Sequence, residues 1–262
     1  MAVETIDLAR QLLYGPIEDS TIIDFLDRSL VTDKNYHVVA AHVPQGLISQ
    51  FPIFMGDTNL QTISRNFEGG DYVGFIVAAK KDLTDHKVAS DCHFGLSIST
   101  GDVKLGIAQP TNNLFDLPQK WTEALLALKL GDFIGRDVIG ATYYSELDDL
   151  ALLAKIPLGD LREYRNKFLS GVLEYGSNRD GLKGVDLINT IGVLVRSRSP
   201  LHSAEELYIH RNTLLYRLKK VRDVSGFDPM NNEDLSKLEM ALKVHRLIPA
   251  LEFAEKLSQQ TS

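Results

Sequence analysis

Hydrophobic and polar residues follow two different rhythms along this chain, and the change from one to the other divides it. In the first half, three short runs, "YHVVAAHV", "DYVGFIVAAK" and "HFGLSIST", are rich in β-branched and aromatic residues and predict strands. Around them the apolar spacing is helical. Ile6, Leu8, Leu12 and Leu13, then Ile22, Ile23, Leu26 and Leu30, predict two helices broken at "YGPIEDS", and "KWTEALLALKLG" predicts a third. Short strands separated by longer helical stretches read as a mixed α/β layer with helices on a sheet, expected through residue 145.

After "VIGATYYSELDD" the rhythm changes. "DLREYRNKFLSGVLEYG", "GVDLINTIGVLVRS", "SAEELY", "RNTLLYRLKKVRDVSG" and "EDLSKLEMALKVHRLI" all carry helical spacing, and no comparable strand run follows. Residues 146–262 therefore predict an all-α domain, its helices punctuated by Pro157, Gly176, Gly181, Gly184, Pro200, Gly226 and Pro229. No internal repeat is visible, and the polar tail "SQQTS" is the one low-complexity stretch.

Within that half, "HRNTLLYRLKKVR" is amphipathic in an uncommon way. Leu214, Leu218 and Val221 share one narrow stripe, while Asn212, Tyr216, Lys219 and Lys220 point broadly away from it. Just upstream, "SAEELYIH" offers Ser203 as a helix cap, Ala204 for close helix approach, and Leu207 and Ile209 to pack on Leu214 and Leu218. A short helix, a tight turn and a second helix over about residues 203–222 is a helix-turn-helix.

Charge sharpens this reading. The chain carries 28 Lys and Arg against 35 Asp and Glu, yet Arg211, Arg217, Lys219, Lys220 and Arg222 fall within one run without a carboxylate. A single cationic element on an acidic body suggests one surface built to meet a polyanion. In a helix-turn-helix the start of the second helix lies near base edges in the major groove. Arg211 can bond guanine or phosphate, Asn212 can bond adenine through two hydrogen bonds, and Thr213 can reach phosphate. Arg217, Lys219 and Lys220 can neutralise backbone charge, and Leu215 can touch a thymine methyl. His210, at the head of the motif, and Tyr216, on the cationic face, complete the candidate DNA-binding set. The plainer alternative is a solvated amphipathic helix kept soluble by its lysines. That alternative leaves unexplained the preceding short helix, the small Ala204 and the polar residues gathered at the helix start.

The stretch "AEELYIHRNTLLYRLKKVRDVSGFDPMNNEDLSKLEMALKVHRL" resembles the C-terminal helix-turn-helix of the PucR/CdaR class of bacterial transcription regulators, named for purine catabolism and sugar-diacid use. "HRNTLLYRL" is its most characteristic part, and "LINTIGVLVRSRSPLHSA" is similar to the preceding helix and linker, so the resemblance spans about residues 185–247. Tyr208 stands where a turn glycine is common. The resemblance implies a regulator of a catabolic or metabolic operon that binds double-stranded DNA as a homodimer or larger homo-oligomer. It also implies that many members carry a further N-terminal sensory domain, for which 262 residues leave little room, and it leaves any small-molecule effector unassigned.

"NFEGGDYVGFIV" raises an enzymatic alternative, because Gly69, Gly70 and Asp71 before an apolar strand are similar to the GGDEF hairpin of diguanylate cyclases. The family resemblance likewise implies a degenerate GGDEF-like domain here. Phosphoryl transfer of that type needs carboxylates to hold magnesium on a triphosphate. Tyr72 stands where the active motif has an acid, and "YHVVAAHV" carries none, so no catalysis and no cofactor are expected. The plainer reading of Gly69 and Gly70 is a β-turn between a helix and a strand. A nucleotide-binding or weakly catalytic signalling protein is the rival reading, and a protein-interaction module a third.

The remaining chemistry is sparse. One cysteine, Cys92, excludes an intramolecular disulfide, and with His93 beside it on an expected strand the two side chains point to opposite faces, so a partly buried thiol is expected rather than a thiol and its base. The seven histidines show no metal-ligand spacing. Glu146, Asp148 and Asp149 read as a solvated cluster at the domain junction. The start "MAVETIDLARQLLYG" is not a signal peptide and "VGFIVAA" is too short to span a bilayer, so a cytoplasmic protein without membrane contact is expected.

Overall fold

The computed structural model describes residues 12–13, 34–43, 59–67, 70–80, 84–100, 103–137, 139–176 and 182–259. They divide into two compact units, one running to Ala151 and taking in Ala250 onward, the other spanning Leu152–Pro249. The sequence boundary at residue 145 lies a few residues earlier, and it leaves the C-terminal residues with the helical half rather than with the first unit.

The first unit is built on a five-stranded sheet in the order β2-β3-β1-β4-β5. Its strands are β1 (Lys34–Val43), β2 (Asn59–Phe67), β3 (Gly70–Lys80), β4 (Lys104–Ile107) and β5 (Ala141–Tyr143). β3 pairs antiparallel with both β2 and β1, β1 antiparallel with β4, and β4 parallel with β5. β1 and β2 therefore run in the same direction with β3 inserted between them. Helices α1 (Asp85–Thr100) and α2 (Leu117–Ile134) complete the mixed α/β layer.

β1 lies inside the sheet and is buried on both faces, which is why "VVAA" is continuously apolar rather than alternating. Val38 and Ala40 face a core containing Ile76, Trp121, Leu125, Leu128 and the C-terminal Phe253, Ala254 and Leu257. Val39 and Ala41 face the other side, against Phe75, Val77, Val88, Ala89, Cys92, Leu105 and Ile107. His37, itself buried on β1, bonds through Nδ1 to Asp85 Oδ1 at 2.8 Å and ties the first residue of α1 to the sheet.

Two expectations fail here. "HFGLSIST" is not a strand but the last half of α1. Its apolar stripe begins earlier, with Val88, Ala89 and Cys92 at helical spacing on the sheet, and that burial carries the helix through a glycine and three hydroxyl residues of modest helix propensity. The turn expected at Gly69 and Gly70 between a helix and a strand is not what precedes β3: Gly70 is the first residue of β3 and pairs with Phe67 of the antiparallel β2, so it follows a strand, while Gly69 lies outside the described residues. Of the two N-terminal helices, only Leu12 and Leu13 lie within the described residues; both are helical and buried in the first core.

The second unit is all helical: α4 (Leu158–Leu173), α5 (Gly184–Ser197), α6 (Pro200–Glu206), α7 (Arg211–Ser225) and most of α8 (Asn232–Gln259), after a short α3 (Asp149–Leu153) in which the division between units falls. One cluster joins Phe168, Leu169, Val172, Leu187, Ile191, Val221, Leu238, Ala241 and Leu242. A smaller one joins Leu194, Ala204, Leu214, Leu218 and Leu235, with Leu207 and Ile209 packed on it.

The turn from α6 to α7 is a Schellman motif. Tyr208 N–H donates to Glu205 O and Ile209 N–H to Ala204 O, both at 3.0 Å, and Ile209 and Ala204 meet in the smaller cluster. The residue after the cap must then be left-handed, and Tyr208 takes φ +54° with its side chain 96% exposed. A glycine would adopt that conformation without strain, and Tyr208 gains no packing in return.

Two substitutions test these contacts. A Cβ at Gly106 would lie 2.1 Å from Ala124 O and 2.3 Å from Leu128 N, so β4 and α2 touch backbone to backbone. Gly106→Ala should destabilise the first unit by roughly 2–3 kcal/mol, read as a lower denaturation midpoint. Tyr208→Gly should do the reverse in the second unit, raising its midpoint by about 1 kcal/mol through relief of left-handed strain.

Candidate nucleic-acid interface

The face that α7 turns to water is set by the stripe it buries. Leu214, Leu218 and Val221 are at most 2% exposed, each contributing about 1.5–3 kcal/mol of burial, and they hold the helix at both clusters of the second unit. α4 supports it from behind: a Cβ at Gly171 would sit 2.0 Å from Val224 O, so only glycine lets the two helices approach this closely. Gly226 ends α7 in the left-handed conformation, its N–H on Arg222 O at 2.9 Å. Beyond it, Asn231 Oδ1 accepts from the N–H groups of Glu233 and Asp234 and starts α8.

At the other end, His210 is the N-cap. Its backbone is extended, its Nδ1 accepts the N–H of Asn212 at 3.2 Å, and its carbonyl accepts from Leu214 N at 3.1 Å. Asn212 is therefore inside the first turn and is not the cap. Arg211, Asn212 and Thr213 all lie on the solvent side, as do Leu215, Tyr216 and Lys219.

Two of the expected contact residues are placed less openly. Arg217 flanks the buried stripe; it is half-buried, and its Nε is enclosed without a hydrogen-bond partner. Lys220 is also half-buried, its Nζ 5.9 Å from the Tyr216 ring and 6.0 Å from that of Tyr175.

Ion pairing sorts the cations of this unit. Arg196 is paired with Glu206, Arg198 with Glu239, Arg222 with Asp228, and Lys237 with Glu233 and Asp234. Among the described residues none pairs a carboxylate with Arg211, Arg217, Lys219 or Lys220. Arg222 belongs to the same basic run in sequence, but the fold commits it to Asp228 at 3.4 Å.

The first helix of the pair departs from expectation at its cap. Ser199, not Ser203, caps α6, accepting from His202 N, with Pro200 in the first turn. Ser203 is inside the helix and fully buried, donating to Ser199 O at 2.8 Å and lying 2.7 Å from Ser197 Oγ. Both serines precede apolar residues at suitable spacing; Pro200, which favours the first helical position, was the signal that separates them.

The first unit assembles no comparable site among the described residues. Tyr72, in the position where a GGDEF hairpin has an acid, is buried, and its hydroxyl accepts from Lys129 Nζ at 2.9 Å. Cys92 is fully buried on a helix beside half-buried His93, and burial pushes its thiol well up, the Asp91 charge adding to the shift. The thiol is thus more deeply enclosed than expected, on helical rather than strand geometry. No three His, Cys, Asp or Glu side chains among the described residues come together as a metal site. Glu146 and Asp148 are exposed and Asp149 half-buried. The pair that sequence reasoning missed is His37 with Asp85, 48 residues apart and joined only by the fold.

Comparison with known proteins bears on this geometry. No helix among the described residues is long and apolar enough to cross a membrane. The chain is 31% identical over 147 residues to the purine catabolism regulatory protein of Bacillus subtilis (strain 168), an alignment covering 56% of this chain and 27% of that one. It is 28% identical over 138 residues to the proline-responsive transcriptional activator PutR of the same organism, covering 52% and 33%. The chain thus spans a third or less of the length of the curated relatives it matches. Among solved structures, a regulator of polyketide synthase expression from Bifidobacterium adolescentis aligns over 92% of both chains at 16% identity and a TM-score of 0.41. Residues 187–244, from within α5 to within α8, match the family described as the PucR C-terminal helix-turn-helix domain.

Proposed function

We propose that this protein is a sequence-specific DNA-binding transcriptional regulator of the PucR/CdaR type, acting in the cytoplasm on a catabolic or metabolic operon. The observation that carries this reading is the division of α7: one stripe is locked into two clusters, and the rest of the helix presents Arg211, Lys219 and Lys220, which no carboxylate among the described residues pairs. The relatives matched are named as regulators rather than enzymes, and no catalytic role is assigned here.

In this reading α7 enters the major groove by its N-terminal turn. Arg211 and Asn212 read base edges, Thr213 and Tyr216 meet phosphate or sugar, and Leu215 lies against a thymine methyl. Lys219, Lys220 and Arg217 neutralise the backbone. One such unit reads only a few base pairs, so useful selectivity needs two copies on half-sites about one helical turn, ~34 Å, apart. A homodimer or larger homo-oligomer on a repeated half-site follows.

Two measurements test the assignment. Neutralised phosphates release counterions, so affinity should fall steeply with salt, and replacing both Lys219 and Lys220 by Ala should flatten the log–log slope by roughly 2 per subunit while weakening all sequences alike. A salt-independent gel shift, or none on any DNA, would reject the regulator reading. Asn212→Ala should relax base preference at one position per half-site, costing about 1–3 kcal/mol of discrimination, with little change in melting temperature because His210 provides the cap. An unaltered selected consensus would remove Asn212 from the readout set.

A further inference from the structure

The cap of α7 fixes more than the start of a helix. His210 Nδ1 accepts the Asn212 N–H at 3.2 Å, and a nitrogen that accepts carries no proton. The ring proton of the neutral imidazole is therefore on Nε2, and Nε2 is a donor and nothing else. His210 is exposed, and no hydrogen bond within the described residues occupies that nitrogen. It stands immediately before Arg211, Asn212 and Thr213, at the end of the helix assigned to the groove.

We infer that His210 is a specificity-determining residue, whose cap-fixed Nε2–H reads a base that presents an acceptor in the major groove. The inference rests on the DNA-binding reading above. Guanine offers N7 and O6 there, adenine N7 and thymine O4, while cytosine offers only the N4 amino donor. A donor-only group meets the first three with a hydrogen bond and the last with two opposed donors and an unpaired polar group. Guanine, with two adjacent acceptors, is the favoured base, and cytosine at the same strand position is excluded.

Capping and reading use different atoms of one side chain, so they can be separated by substitution. Serine caps a helix well but is too short to reach a base from this position. Aspartate also caps well, but its second oxygen is an acceptor. Randomised-site selection and melting temperature should be measured on the full-length wild type, His210→Ser and His210→Asp.

The serine variant should melt within a few degrees of the wild type and lose about tenfold discrimination at one position per half-site. The aspartate variant should turn that position toward cytosine, which presents only an amino donor, whatever its melting temperature. A serine variant with the wild-type consensus overturns the inference, as does one whose affinity falls evenly across all sequences, since that marks a phosphate contact. An aspartate variant that still selects guanine overturns it too. Failure of the wild-type protein to select any DNA is a different outcome, and it removes the regulator reading itself.

Discussion

The burial of Leu214, Leu218 and Val221 is the constraint on which the rest of the second unit depends. Those side chains lie at three- and four-residue spacing, so they fix the rotation of α7 about its own axis. Once that rotation is set, Asn212, Tyr216 and Lys219 have no position other than the solvent face. The backbone contact of Gly171 with Val224 then fixes how far α7 stands from α4, and the Schellman turn at Tyr208 fixes where it begins. The candidate DNA-contacting residues, carried on a helix held this way, are positioned by packing rather than by loop conformation.

The helix α8 contributes to hydrophobic clusters in each of the two units. Leu235, Leu238, Ala241 and Leu242 complete the two clusters of the helical unit, whereas Phe253, Ala254 and Leu257 belong to the core of the α/β unit. Within that core, Lys129 Nζ lies 3.8 Å from the centre of the Phe253 ring and also donates to Tyr72, so a charge and two aromatic rings anchor the last turns. Pro249, inside the helix, has no N–H for the ladder and marks the point where membership passes from one unit to the other. The C-terminal residues are thus an integral part of the α/β fold although they follow the helical unit in sequence.

What the sequence made legible were the features with a strong local period. The stripe of α7, the continuous apolar run of β1 and the long α2 were all readable because burial on a helix or inside a sheet imposes a pattern over many residues. β5, at three residues, is too short to carry one, and β2, "NLQTISRNF", is mostly polar. α1 was misread because the window that looked strand-like began after the residues that bury the helix. His210 as a cap was not legible either, since histidine is not among the usual capping types and its role depends on which nitrogen meets Asn212 N. Arg217 falls beside the stripe, where a small rotation separates an exposed guanidinium from an enclosed one, and periodicity does not resolve that.

Electrostatics supplies the last step. The chain is acidic overall, with 35 carboxylates against 28 Lys and Arg, so long-range attraction to a polyanion cannot come from net charge. It must come from a local imbalance, and exposed pairs are individually weak but cancel their own fields at a distance. Glu206, Glu239, Asp228, Glu233 and Asp234 pair with Arg196, Arg198, Arg222 and Lys237 and offset their charge. On α7, Arg211, Arg217, Lys219 and Lys220 have no such partner among the described residues, a local run of positive charge on an acidic chain. In the proposed DNA-binding reading, such a local imbalance would favour approach by the α7 face. In the proposed DNA-binding reading, the negative balance would leave α7, with Arg211 and Asn212 in its first turn, as the element suited to meet a polyanion.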